Sequence, residues 1–152
     1  MASTVTPATL TVTIDEDIFL HGVQCGGKNT HTITNIAEMS RRIMTLGTTE
    51  VTLLQLDNTA NAAGTFIRSA VKWFRVTNLD DAINLVLLVS DADSPSEAFE
   101  VEVGPGESFL LGDALRFDTA TSISGATLVN IRDINGAAAS STIDVEVIVA
   151  ST

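Results

Sequence analysis

The chain reads as an all-β protein, an antiparallel β-sandwich of jelly-roll-like design with at most one short helix. Three observations predict this. Thr, Val and Ile are abundant, and such β-branched side chains are stiff at χ1 and pack well on a pleated sheet. Several runs alternate apolar and polar residues with period two, which puts one face of a strand in a core and the other in water. Short runs of this kind alternate with turn chemistry at close spacing. That is the pattern of a sandwich or barrel, not of a parallel sheet with its crossover helices.

Residues 1–7 are small and polar and contain Pro7, which predicts a loose N-terminal arm ahead of a single sandwich domain over 8–152. Strands are expected at about 8–14, 18–24, 30–36, 49–57, 70–79, 83–89, 98–103, 107–111, 114–118, 126–133 and 142–149. Leu10, Val12 and Ile14 alternate with threonines. Phe99, Val101 and Val103 alternate with Glu100 and Glu102, and Ile143, Val145, Val147 and Val149 alternate mostly with acids. Turn signals separate these runs at Gly26-Gly27, Asn58 to Gly64, Asp80-Asp81, Asp91 to Ser96, Gly104-Pro105-Gly106, Gly125 and Asn135-Gly136. The Ala- and Ser-rich piece from Gly136 to Ser141 reads as a loop. Ile36, Met39, Ile43 and Leu46 fit either a helical stripe or a long irregular strand. Trp73 and Phe74 are adjacent, so on a strand they face opposite ways, and a sandwich core is the expected home of both.

A chain of 152 residues suits one domain, and 45% hydrophobic residues suffice to fill its core. Nineteen acidic residues against eight basic ones give a net charge of −11. That argues against nucleic acid, whose phosphates need a basic patch, and against anionic membrane surfaces. It favours solubility and permits docking onto a positively charged partner. The first residues lack the basic start and apolar core of a signal peptide. No apolar stretch approaches the ~20 residues of a spanning helix. Cys25 is the only cysteine and excludes an internal disulfide framework.

Catalytic chemistry finds little purchase, and no catalytic, cofactor-binding or metal-ligating residues are assigned. Cys25 lacks a neighbouring base in sequence, and a reactive thiol wants electropositive surroundings. His21 and His31 are the only histidines and carry no zinc-ligand spacing. No Gly-x-Ser-x-Gly elbow is present. Asp15-Glu16-Asp17, the group Asp80, Asp81 and Asn84, and the pair Asp91 and Asp93 offer oxygen ligands. None has the spacing of an EF-hand loop, and acids in turns more often cap backbone. Gly104-Pro105-Gly106 is a tight turn and not a phosphate loop, since no Gly-Lys-Ser/Thr follows.

Arg75-Val76-Thr77-Asn78-Leu79-Asp80, followed by Ile83-Asn84 and an apolar strand, resembles small β-sandwich structural proteins of tailed-bacteriophage particles. So does Phe99-Glu-Val-Glu-Val-Gly-Pro-Gly-Glu107-Ser-Phe-Leu-Leu111. Such proteins carry a strand, Thr-Asn-Leu-Asp, short-strand unit and then a strand, Gly-x-Gly-Glu, strand unit. The resemblance covers about 40 residues. It implies a virion role on the capsid surface after synthesis in the host cytoplasm. The implied function is that of a cement or decoration protein that binds the major capsid protein in the assembled lattice, as a homotrimer. The alternatives are another virion part (neck, tail or fibre base) or a carbohydrate-binding module. The latter would want exposed aromatics that one Trp and no Tyr do not supply. A cupin-like enzyme would want more histidines than two.

Overall fold

The structure of the protein, a computed structural model, describes residues 6–59, 64–91, 98–112, 116–117 and 129–152, with backbone alone at 116, 117 and 129. The chain divides into two compact units, residues 1–38 together with 152, and residues 39–151.

The first unit is one long β-ribbon. Strand β1 (Ala8–Asp15) pairs antiparallel with β4 (Lys28–Ile36), and β2 (Phe19–Leu20) pairs with β3 (Val23–Gln24) at the far end. The two pieces are joined by hydrogen bonds from Glu16 N to Gly27 O and from Cys25 N to Ile18 O. At the tip, His21 (φ 51°) and Gly22 (φ 81°) both take positive φ. This is the two-residue turn whose twist matches that of the strands it joins. Gly26 is required by a close approach, since a Cβ there would stand 1.7 Å from Glu16 O. At the other end Ala8 faces Ile36 while Leu10 faces Ile33, a bulge accommodated by Asn35 in the left-handed region at φ 62°. The register sorts the side chains: Thr11 and Thr13 pair with Thr32 and Thr30 on one face, and Leu10, Val12 and Ile14 share the other with Ile33, His31 and Asn29. About thirteen residues separate Ala8 from the turn, so the ribbon is roughly 40 Å long at the usual rise per residue.

The second unit is a two-layer sandwich. One sheet runs β11 (Ser108–Leu111), β8 (Val71–Asn78), β14 (Ile143–Ser151), β5 (Glu38–Leu46). The other runs β10 (Ala98–Val103), β9 (Leu85–Asp91), β13 (Val129–Ala138), β6 (Val51–Asp57), β7 (Thr65–Ile67), with β12 (Arg116–Phe117) beside β13. The core lies between the layers. Phe74 and Val76 of β8 and Val145, Val147 and Val149 of β14 pack in one cluster with Leu85, Leu87 and Val89 of β9, Leu54 and Leu56 of β6, and Ile131 and Ile134 of β13. These are the apolar positions of period-two patterns, so the alternation in sequence becomes the two faces of each layer.

The sequence-based fold class holds: the chain is an all-β sandwich, with no helix among the described residues. Five local readings change, the first being the expected strand at 18–24, which is instead β2 and β3 joined by the turn at His21 and Gly22. Of the segment left open between helix and strand, Ile36 ends β4 and residues 38–46 are strand β5, whose apolar residues split between its faces. Met44 and Leu46 lie inward, while Met39 and Ile43 are exposed. Asn135-Gly136 is not a turn, nor is Gly136 to Ala138 a loop, because all lie within β13. A Cβ on Gly136 would come within 2.7 Å of Leu53 Cδ1, so the glycine makes room for a core leucine. Strand β7, in a stretch where no strand was expected, pairs parallel with β6. Trp73 is half-buried on the face opposite Phe74, so only Phe74 is core. The expected turn at Gly125 and most of the expected strand starts at 114 and 126 lie outside the described residues.

Candidate docking surface

The two turn motifs of the central stretch meet around one buried side chain. Asn78, fully buried at the end of β8, donates through Nδ2 to Ile83 O (2.8 Å), Val103 O (3.2 Å) and Gly104 O (3.2 Å). Its Oδ1 accepts from Asp80 N at 3.1 Å. Its backbone closes the same knot, because Asn78 N donates to Glu107 O and Asn78 O accepts from Gly106 N. Asp80 Oδ1 caps the next turn by accepting from Ala82 N (2.9 Å) and Ile83 N (2.8 Å). Those backbone donors hold its carboxyl below the ordinary aspartate value. In the tight turn, Gly106 takes φ 72°, Glu107 N donates to Gly104 O, and Glu107 Oε2 accepts from Gly104 N at 3.0 Å. The Thr-Asn-Leu-Asp and Gly-Pro-Gly-Glu units are therefore one structural joint between the ends of the two layers. Their chemistry is backbone satisfaction.

On the outer face of the β11-β8-β14-β5 sheet, Glu146 sits between two arginines. Arg41 Nε donates to Glu146 Oε1 at 2.7 Å, and Arg75 donates to Oε2. The glutamate side chain is 10% exposed. The Arg41 hydrogen bond, joined by that from Arg75 and by both charges, outweighs desolvation and holds the carboxyl below its usual value. This triad ties β5, β14 and β8 together and leaves both carboxylate oxygens occupied.

The ribbon is different in kind. Among its described residues only Ile33 and Ile36 are buried. Its tip carries Ile18, Phe19, Leu20 and Val23 at 53%, 67%, 59% and 62% exposure. Ile14, half exposed, borders a shallow hollow of about 310 Å³ shared with Glu16, Gly27, Lys28 and Asn29. Three acids, Asp15, Glu16 and Asp17, directly precede the apolar tip. Lys28 reaches Asp15 at 3.4 Å, and Gln24 Nε2 donates to Asp17 Oδ1 at 2.9 Å.

Several residues singled out in the sequence fall on this ribbon. Cys25 is exposed, with its thiol 3.5 Å from Val23 O. His21 is a turn residue of the tip, and His31 lies across from Val12 on β4. Of the other oxygen-ligand candidates, Asp81 is exposed, and Asn84 donates to Glu102. Asp91 is buried at the end of β9, and Asp93 lies outside the described residues. Among the described residues, no three His, Cys, Asp or Glu side chains gather in a way that could hold a metal ion. Sequence reasoning missed the exposed tip. The available signal was the consecutive triplet Ile18-Phe19-Leu20, which breaks period two and so cannot turn one side inward. The Arg41-Glu146-Arg75 triad joins residues as far apart as 105 positions and left no local signal.

No protein-family model, curated protein or solved structure matches the chain.

Proposed function

We propose that the chain is a structural protein of a tailed-phage particle, of the cement or decoration type. It binds the assembled major capsid lattice as a homotrimer and stabilises the head. The observation that carries this reading is the exposed apolar tip of the ribbon. Large apolar side chains set together in water mark a binding surface, and here they sit on an element with almost no core of its own. The turn motifs support it further. The two motifs that carry the resemblance fold onto each other around Asn78 in this chain, so they act as one unit. A clamp of this kind works by binding the assembled lattice and not the free subunit, and many copies with modest interfaces add along the shell.

The test is cosedimentation of the purified chain with expanded, empty shells and, separately, with unassembled capsid subunits. Retention on shells with none on free subunits is the expected result. Equal binding to both overturns the cement reading, and copy number per particle separates a head protein from a neck or tail part.

A further inference from the structure

We infer that the ribbon tip, residues 15–24, is the docking finger, and that its receptor is a protein surface with an apolar cleft ringed by lysine or arginine. This rests on the capsid-binding reading above and names the element and the partner chemistry that reading requires.

Two independent features of the tip specify its receptor. Ile18, Phe19, Leu20 and Val23 make the tip a knuckle with large apolar side chains on both faces, Leu20 paired with Val23 on one and Phe19 on the other, each more than half exposed. A two-stranded hairpin is marginal in water by itself, and its own strands leave this surface uncovered. Asp15, Glu16 and Asp17 stand at the base of the knuckle, with one lysine, Lys28, against Asp15. The receptor must therefore cover apolar area in its centre and answer negative charge at its rim, the usual anatomy of a specific protein interface.

A second copy of the chain does not fit that description. Its described cations are already engaged. Arg41 and Arg75 hold Glu146, Arg42 donates to Leu53 O, Arg68 donates to Ile131 O and Asn58 Oδ1, and Arg132 faces Asp133. Lys72 is engaged as well. With a net charge of −11, a second copy would set like charge against Asp15, Glu16 and Asp17 at the tip, which costs affinity there instead of adding it. An anionic membrane or nucleic acid meets the same objection. A cationic protein cleft satisfies both features.

The experiment uses the full chain and expanded shells of the major capsid protein freed of this chain, with binding measured at low and high salt. Phe19→Ser and Leu20→Ser each remove a buried anchor and should weaken binding by at least about tenfold. Their thermal unfolding should be unchanged, because these side chains are exposed in the free chain. The triple variant Asp15→Asn, Glu16→Gln, Asp17→Asn should bind more weakly at low salt and lose most of the salt dependence of the original chain. Shell binding by the original chain with undiminished binding by the Phe19 and Leu20 variants overturns the finger and leaves the cement reading standing. Unchanged salt dependence in the triple variant overturns the cationic rim. A change of oligomer mass on substituting Phe19 or Leu20 shows that a second copy covers the tip, and overturns the inference. Failure of the original chain to bind shells at all overturns the cement reading, and this inference with it.

Discussion

At the scale of single residues, the side chain that decides most is Asn78. It is fully buried, yet it shares two amide protons among three carbonyls and accepts a backbone N–H in return. An amide brings two donor protons and an acceptor oxygen to that place at once. Asn78→Ala removes the side-chain donor shared by Ile83 O, Val103 O and Gly104 O and the acceptor of Asp80 N, and should cost roughly 2–4 kcal/mol at the rates for unmade buried hydrogen bonds. Asn78→Asp should cost more, since it turns a carboxylate oxygen toward those carbonyls in a site without solvent. Urea unfolding of the two variants checks the order, and an alanine variant within half a kcal/mol of the original would contradict this account. The sequence pointed to this position as turn chemistry and to Gly104-Pro105-Gly106 as a second turn. It could not show that one asparagine serves both, because the partners lie up to 26 residues away.

Among elements, period two carried most of the information. Strands β8, β9, β10 and β14 stand close to their expected places because each buries one face, and a one-residue slip would expose the whole set. The misreadings arose where tertiary packing overrode local chemistry. Asn135-Gly136 has the composition of a hairpin turn, but Gly136 is strand because Leu53 occupies the volume a side chain would need. Strand β5 escaped assignment because it is an edge strand whose inner face carries Arg42, donating to Leu53 O, as well as Met44 and Leu46. An inward-pointing charge on an edge strand discourages further pairing. The outer face of the same strand is tied by Glu146. The folded carboxyl of Glu146 lies below the ordinary value of 4.5. The unfolded chain therefore takes up the proton first, so the triad's contribution is fully present above that value. It is lost as pH falls through the lower folded value. Glu146→Gln should destabilise the protein by roughly 1–3 kcal/mol at pH 7, discounted toward the low end by the exposure of Arg41. The difference from the original chain should shrink as pH drops below 4.5, because protonated glutamic acid and glutamine are then alike. A gap of equal size at pH 7 and at pH 3 in paired denaturation curves would remove the triad from this role.

For the whole molecule, the two units differ in what holds them. The sandwich has a continuous core fed by both layers, whereas the ribbon, among the described residues, buries only Ile33 and Ile36 and pairs each of its four strands on one side alone. Opening free energy follows buried apolar contact, so the two units should not open together. In hydrogen exchange on the free protein, amides of β1 to β4 should exchange orders of magnitude faster than those of β8, β9 and β14, which open only on global unfolding. The sequence could not reveal this asymmetry. Leu10, Val12 and Ile14 alternate as cleanly as the core strands do, and the pattern is silent on whether a second layer arrives to cover them. On the docking proposed above, the receptor covers the ribbon's tip. On shells, protection should therefore rise over residues 15–24 and spread along the ribbon, while the sandwich stays as it was. Ribbon amides already as slow as those of β14 in the free protein would mean that a second copy covers the ribbon before any shell is met. The finger would then be part of the oligomer and not of the lattice contact.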